Sequence, residues 1–252
     1  MDRRAYLLSL ATTGTLSLAG CLGGGSRTAL ARPDSQSADS EDYPYPAHGE
    51  QLPEVTVPSP LHDREVSTTE FVGERETLLT FVFTRCPGPC PALTATLAQV
   101  QAHAAGQGYA EEVALLPITF DPEHDEREVL REFSEANGAS VEENWQFLRP
   151  ETPEAAEDVV TNTFGVPFEE LPMEEAEDAH DDRGNDDHGE DEDHNHGDHE
   201  DHDHGEDGTS FVHANLLLLV NRDGYVERAY TGPPPAPTDV LDDLDAVREE
   251  MT

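Results

Sequence analysis

The sequence predicts a three-layer α/β sandwich, and three observations carry that expectation. Two runs, Thr77–Thr84 and Glu112–Phe120, read as strands buried in the centre of a sheet. Segments with helical spacing alternate with strand-like segments through the first two-thirds of the folded region. A late hairpin and a closing amphipathic helix complete the order. The elements follow in turn. Glu54–Val57 and Arg64–Ser67 read as two short strands, and Thr77–Thr84 as the first central strand. A helix from about Cys90 to Ala105 places Leu93, Leu97 and Val100 on one face. Glu112–Phe120 reads as the second buried strand, and Glu126–Asn137 as a helix stopped by Gly138. A short strand near Trp145–Leu148 and a helix from Pro153 to about Thr163 come next. Asn215–Asn221 and Tyr225–Tyr230 pair about an Arg222-Asp223-Gly224 turn, and Thr238–Met251 forms the last helix.

That order describes a sandwich of thioredoxin type with one segment foreign to it. From Glu169 to Asp207 there is almost no apolar side chain, so an acidic, His-rich disordered insertion is expected there. The predicted organisation is an export signal with lipobox at 1–21 and a flexible tether at 22–52. The first part of the domain covers 53–168, the insertion 169–208 and the second part 209–252.

The formal net charge is -41, and all 14 basic residues are arginine. Affinity for nucleic acid needs clustered cations that displace counterions, so that class is excluded as a main function. Residues 169–207 hold 20 of the 55 acidic residues and one Arg, so most of the acid lies elsewhere. Acidity spread in this way keeps a protein hydrated in concentrated salt, where screening removes self-repulsion. A halophilic origin is the expectation.

Three cysteines are present. Cys21 ends Leu18-Ala19-Gly20-Cys21 after a charged start and an apolar run, the look of a lipobox whose cysteine is lipidated. Arg3-Arg4 ahead of that run resembles a twin-arginine export signal. The run from Ala5 to Gly20 is short and rich in Ser, Thr and Gly for a bilayer span. An uncleaved anchor is the alternative, and both readings export the domain. The expected location is the outer face of the cytoplasmic membrane, held by a lipid on Cys21. Disulfides persist in such a compartment.

The other two cysteines lie in Arg85-Cys86-Pro87-Gly88-Pro89-Cys90-Pro91, where a buried strand hands over to a helix. Free N–H groups and the dipole at a helix start favour thiolate, and Arg85 adds positive charge. Thiolate is both the nucleophile of disulfide exchange and a soft ligand for Cu(I). A purely structural bridge would close a five-residue loop and stabilise little. Where thioredoxin-like reductases carry a cis-proline, this chain has Phe211-Val212-His213-Ala214-Asn215. His213 can face the pair there, so Cys86, Cys90 and His213 form a candidate copper site, with Cys86 and Cys90 also the redox pair.

With these motifs in order, the chain resembles the SCO/SenC family over roughly residues 50–165 and 209–250. TFVFTRCPGPCP is similar to that family's strand-then-CxxxC-Pro signature, and Asp121-Pro122-Glu123-His124-Asp125 to its DPxxD element. Trp145 with Phe147-Leu148, Phe164-Gly165-Val166 and the hairpin ending in Asp223-Gly224 follow in family order. The resemblance implies copper binding by Cys86, Cys90 and His213. It also implies a partner: the copper-receiving subunit of a terminal oxidase, whose binuclear centre the protein helps assemble. Val212 is a departure, since many members carry Asp before the histidine. Asp121 and Asp125 are the candidates to orient the imidazole in its place.

Seven of the 12 histidines, His180, His188, His194, His196, His199, His202 and His204, lie among the acid of the insertion. Imidazoles beside carboxylates can gather Cu(II), Zn(II) or Ni(II) weakly, and a plain solvated loop is the alternative. The favoured function is a membrane-tethered copper chaperone that delivers copper or reduces its client's thiols. The rivals are a thiol–disulfide oxidoreductase or thiol peroxidase without a metal role, and a passive metal-storage lipoprotein.

Overall fold

The structure, a computed structural model, describes residues 28–172 and 209–251. Two short strands, β1 (Thr56–Ser59) and β2 (Arg64–Ser67), pair antiparallel ahead of the main sheet. That sheet has four strands in the order β4-β3-β7-β8, where β3 is Glu76–Val82, β4 Val113–Thr119, β7 Leu216–Val220 and β8 Val226–Thr231. It is mixed: β3 runs parallel to β4 and antiparallel to β7, and β7 antiparallel to β8. Every residue of β3, β4 and β7 is buried, the polar Glu76, Thr77, Thr80 and Thr119 among them. The parallel pair is joined by α1 (Pro89–Gln107), the crossover that parallel strands need. Leu93, Leu97 and Val100 of α1 are buried in the core as expected, and Gly108 caps the helix with φ 83°. The remaining helices are α2 (Arg127–Ala136), α3 (Pro153–Glu157) and α4 (Pro237–Glu250), the last packed on α1. A mixed sheet flanked by helices in this order is consistent with a thioredoxin-like fold.

Several boundaries differ from the sequence expectation. Trp145–Leu148 forms no full strand; it touches the edge of β4 through single parallel bridges, Leu115 to Trp145 and Ile118 to Leu148. The helix at Pro153 continues as a wider π-turn over Asp158–Thr163 before Phe164 packs on Phe81, with ring centroids 5.1 Å apart. The insertion begins later than 169, because β5 (Phe168–Pro172) pairs antiparallel with β6 (Thr209–His213). Pairing of this kind joins backbone groups, so Glu169 and Glu170 take part despite their acidity.

The expected tether at 22–52 needs the largest correction. At Thr28–Leu30, and again from Tyr45 to Leu52, the chain lies against the folded domain. The buried carboxylate of Glu227 on β8 accepts from the backbone N–H groups of Ala29 (2.7 Å) and Leu30 (2.9 Å) and from the Asn221 amide (2.5 Å). Further along, Ala47 and Leu52 are buried, and the Leu52 N–H donates to Gly224 O. At Pro44 the segment passes so close to Gly165 that a Cβ there would stand 1.7 Å from the Pro44 carbonyl oxygen. Gly165 also has φ +67°, so both space and backbone conformation call for glycine.

The arginines are placed with equal economy. Arg222 and Arg248 converge on Glu76, whose side chain is fully buried, at 2.7 and 2.8 Å, and on Glu112 at 2.5 and 3.1 Å. The Arg248 guanidinium also lies 3.8 Å from the centroid of the Tyr109 ring. A planar fork can serve two carboxylates and a ring face together, which an ammonium cannot.

Glu227→Ala is expected to destabilise the protein by about 2 kcal/mol, since it strips a buried anion from three donors. Amide exchange should quicken first at Ala29 and Leu30. Unchanged exchange at those two amides would show that Glu227 does not hold the segment.

Candidate metal centre

Strand β3 delivers the chain to Cys86, and the tight passage through Pro87 and Gly88 opens α1 with Pro89 at its first turn. Cys86 is 6% exposed, Cys90 is fully buried, and both are free thiols. His213, at the end of β6, closes the group from the opposite side. One ligand atom from each of the three residues lies within 4.8 Å of the others, and the Cys90 sulfur is 3.4 Å from His213 Nε2. The other ring nitrogen, Nδ1, faces the Ala214 carbonyl oxygen at 3.1 Å. That bond places the proton on Nδ1 and leaves Nε2 directed at the thiols.

The two thiols are unequal. Cys86 is held well below the ordinary thiol range, chiefly by a hydrogen bond from Cys90, with the N–H groups of Cys90 and Gly88 adding to the effect. Cys90 is pushed well above it by burial and by the adjacent Cys86. Two sulfurs sharing one proton behave in this way, with the charge on the sulfur that the Gly88 and Cys90 N–H groups face. Cys86 is therefore the thiolate and Cys90 the thiol.

Around the ligands the structure supplies a dry aromatic wall. The His213 ring packs edge-on against Phe120 (4.9 Å) and Phe83 (6.0 Å), and Phe211 packs on both. Beneath the CxxxC turn, the buried Asp125 carboxylate accepts from the Thr84 N–H (3.2 Å) and from the hydroxyls of Thr84 and Thr119. It thus ties the ends of β3 and β4 together under the cysteines.

Two sequence expectations about this site need correction. Neither Asp121 nor Asp125 orients the imidazole; the Ala214 carbonyl has that position. Asp121 instead receives Arg85 at 2.8 Å and His124 Nδ1 at 2.9 Å, so Arg85 is engaged in an ion pair. The sequence reading missed the Asp125 clasp, for which Thr84 and Thr119 at the ends of two apolar runs were the available signal. Cys21, His180, His188, His194, His196, His199, His202 and His204 lie outside the described residues.

Fold and site together define a class: a thioredoxin-like α/β domain in which a histidine completes a CxxxC pair as a metal site. The SCO1/SenC family model matches residues 61–188, and the chain belongs to that family. Solved structures agree on the fold. A SCO1/SenC family lipoprotein from Bacillus anthracis superimposes with TM-score 0.54 at 18% identity, over 79% of this chain and 95% of that one. BsSco, described as a member of the Sco family of cytochrome c oxidase assembly proteins, gives TM-score 0.53 at 20% identity, over 81% and 97%. Arabidopsis thaliana ScoI with copper bound gives 0.51 at 16%, over 81% and 99%. No curated protein matches the chain in sequence.

Burial pushes the Asp125 carboxyl up to about 6 from 3.8, and the Asp121 charge adds to the rise, against the pull of the threonine hydrogen bonds. A carboxyl raised in this way costs nothing where both folded and unfolded chains are protonated. The cost grows as pH rises past the unfolded value and is complete above the folded one. It amounts to about 3 kcal/mol. Relative to wild type, Asp125→Asn should therefore gain about that much stability between about pH 4 and pH 7, in urea titrations of the reduced, metal-free protein. A difference that stays constant across the window would show that Asp125 does not titrate as described.

Proposed function

We propose that this protein is a copper chaperone, exported and tethered to the membrane, that serves the binuclear copper centre of a terminal oxidase. The observation that carries the reading is the convergence of Cys86, Cys90 and His213 Nε2, with Nδ1 fixed elsewhere. Two sulfurs and one imidazole suit copper in both its oxidation states, and hard cations such as Mg(II) poorly. Family membership supports the reading. Copper is bound in the Arabidopsis structure, and oxidase assembly is the role attached to BsSco. The domain is a three-layer sandwich that holds the ligands at one end of its sheet.

On this reading Cys86 enters as a ready thiolate, and Cys90 gives up its proton when a metal arrives. The phenylalanine wall excludes water, and the Ala214 carbonyl keeps the imidazole from turning. A second reading has its own support: one acidic and one protonated thiol is also the arrangement of a thiol–disulfide reductase. Reduction of a client disulfide to its two thiols, with Cys86 and Cys90 oxidised to a disulfide in exchange, is part of the proposal.

Three further features complete it. Cys21 carries the lipid that anchors the chain to the outer face of the cytoplasmic membrane. The seven histidines between His180 and His204 gather divalent metal weakly ahead of the main site. The distributed acid suits a cell with concentrated internal or external salt.

Reduced protein is expected to bind one copper tightly, and His213→Ala should weaken it by more than roughly 100-fold, beyond what loss of a mere orienting group costs. Competition with a Cu(I) chelator measures this. Undiminished affinity in the variant would leave the reductase reading standing alone. Cys21→Ser should shift the protein from the membrane fraction to the soluble one, or stall its processing. Wild-type protein that is itself soluble would refute the lipid anchor.

A further inference from the structure

Beside the metal centre lies a cleft of about 350 Å³ that the metal site does not use. Its floor is aromatic: Phe120 and Phe168 stack at 4.9 Å, and Phe211 meets them edge-on at 5.5 and 5.9 Å. Its rim is acidic, with Glu123, Glu154 and Glu157 all exposed. Glu154 is kept anionic by hydrogen bonds from its own N–H and the Thr152 hydroxyl. Among the described residues, no three metal-binding side chains come together here as they do at Cys86, Cys90 and His213. The cleft therefore favours a cation with a flat, weakly hydrated face over a bare metal ion.

We infer that this cleft receives an arginine side chain that the client protein carries next to its cysteine. The inference rests on the reading that a client thiol meets Cys86. A guanidinium can lie against the phenylalanine rings and fork to the rim carboxylates, whereas an ammonium is compact and holds its water. Position argues the same way. Phe120, in the cleft floor, is also the ring 4.9 Å from His213. Asp121, in the cleft wall, holds Arg85, the residue before Cys86, at 2.8 Å. A side chain seated in the cleft is thus one ring from the imidazole and one residue from the reactive sulfur. Contact with the rings also survives concentrated salt, which screens simple charge attraction.

The test uses the full chain with Cys86 and Cys90 oxidised to a disulfide, in about 1 M KCl so that attraction at a distance is suppressed. The probes are the peptides Gly-Arg-Cys, Gly-Lys-Cys and Gly-citrulline-Cys. The peptide thiolate attacks the Cys86 sulfur, which is the more accessible of the two. A bond forms between peptide and Cys86, the Cys86–Cys90 bond breaks, and the Cys90 sulfur takes the electron pair and then a proton. Each rate is divided by that of the same peptide with a free small-molecule disulfide, which removes differences in thiol acidity. The arginine peptide should then exceed the citrulline peptide by about two- to fivefold, the range that a partly exposed cation over an aromatic face supports. In the double variant Glu123→Gln, Glu157→Gln that advantage should shrink towards one, while the citrulline rate stays as in wild type.

Equal normalised rates for arginine and citrulline overturn the inference. So does a lysine peptide as fast as the arginine one, because charge alone would then suffice. An advantage that persists in the double variant overturns the role of the rim. Copper titration of the wild-type chain separates this outcome from failure of the chaperone reading. Absence of a tight copper site with the arginine advantage intact would remove the chaperone function and leave the cleft.

Discussion

The site depends on one buried carboxylate. Strands β3 and β4 run parallel and end level at Val82 and Thr119, and Thr84, two residues further on, brings a second set of polar groups to the same place. Asp125 answers both, accepting from one backbone amide and two hydroxyls in a place closed to water. Without that acceptor the donors would be stranded, at a cost of about 1–3 kcal/mol each. The CxxxC turn starts immediately above, so the clasp fixes where Cys86 leaves the sheet and where α1 can begin. From α1 follows the placement of Cys90, and from the thiol pair the position at which a third ligand is useful. The cost is a charge kept in the interior, which the threonine hydrogen bonds only partly offset.

Much of this was legible in the sequence because burial writes itself into side chains. The largely apolar runs of β3, β4 and β7 and the spacing of Leu93, Leu97 and Val100 marked the sheet and the helix that covers it. Cys86, Cys90 and His213 were readable together because each is a chemically distinctive residue at a topologically marked point. What escaped was held by the backbone. Ala29 and Leu30 bind through their N–H groups, which every residue but proline possesses, so nothing in a polar, proline-bearing stretch marked them as anchored. Glu169 pairs across to Val212 in the same anonymous way. The group that orients His213 is likewise a carbonyl, that of Ala214, and a search among acidic side chains could not find it.

Charge tells a similar story at a larger scale. A chain of net charge -41 with no lysine has few cations to spend, and the structure concentrates them. Arg222 and Arg248 share Glu76 and Glu112, and between them they hold Glu112 below the usual carboxylate range. Arg85 closes on Asp121, Arg127 on Asp63 and Arg228 on Asp243. Arginine is suited to this because one head can bridge two acids or an acid and a ring. Removing one arginine of the Glu76 group would leave a fully buried carboxylate short of a partner, a larger loss than any single surface pair.

The Glu227 staple changes the geometry of encounter. A free tether from residue 22 to 52 could let the domain roam about 110 Å from its anchor. With the chain fastened at Ala29, the eight residues from Cys21 span at most about 29 Å, comparable to the thickness of the hydrocarbon core itself. A lipid on Cys21 would then confine the domain to a thin shell above the bilayer. Within that shell it would meet membrane-embedded partners by lateral diffusion, in two dimensions, with the swing of its metal centre limited by the length of the leash. The supply of soluble partners would be a three-dimensional search ending on the same surface. With that anchor in place, a single buried glutamate would set how far above the bilayer the metal centre can reach.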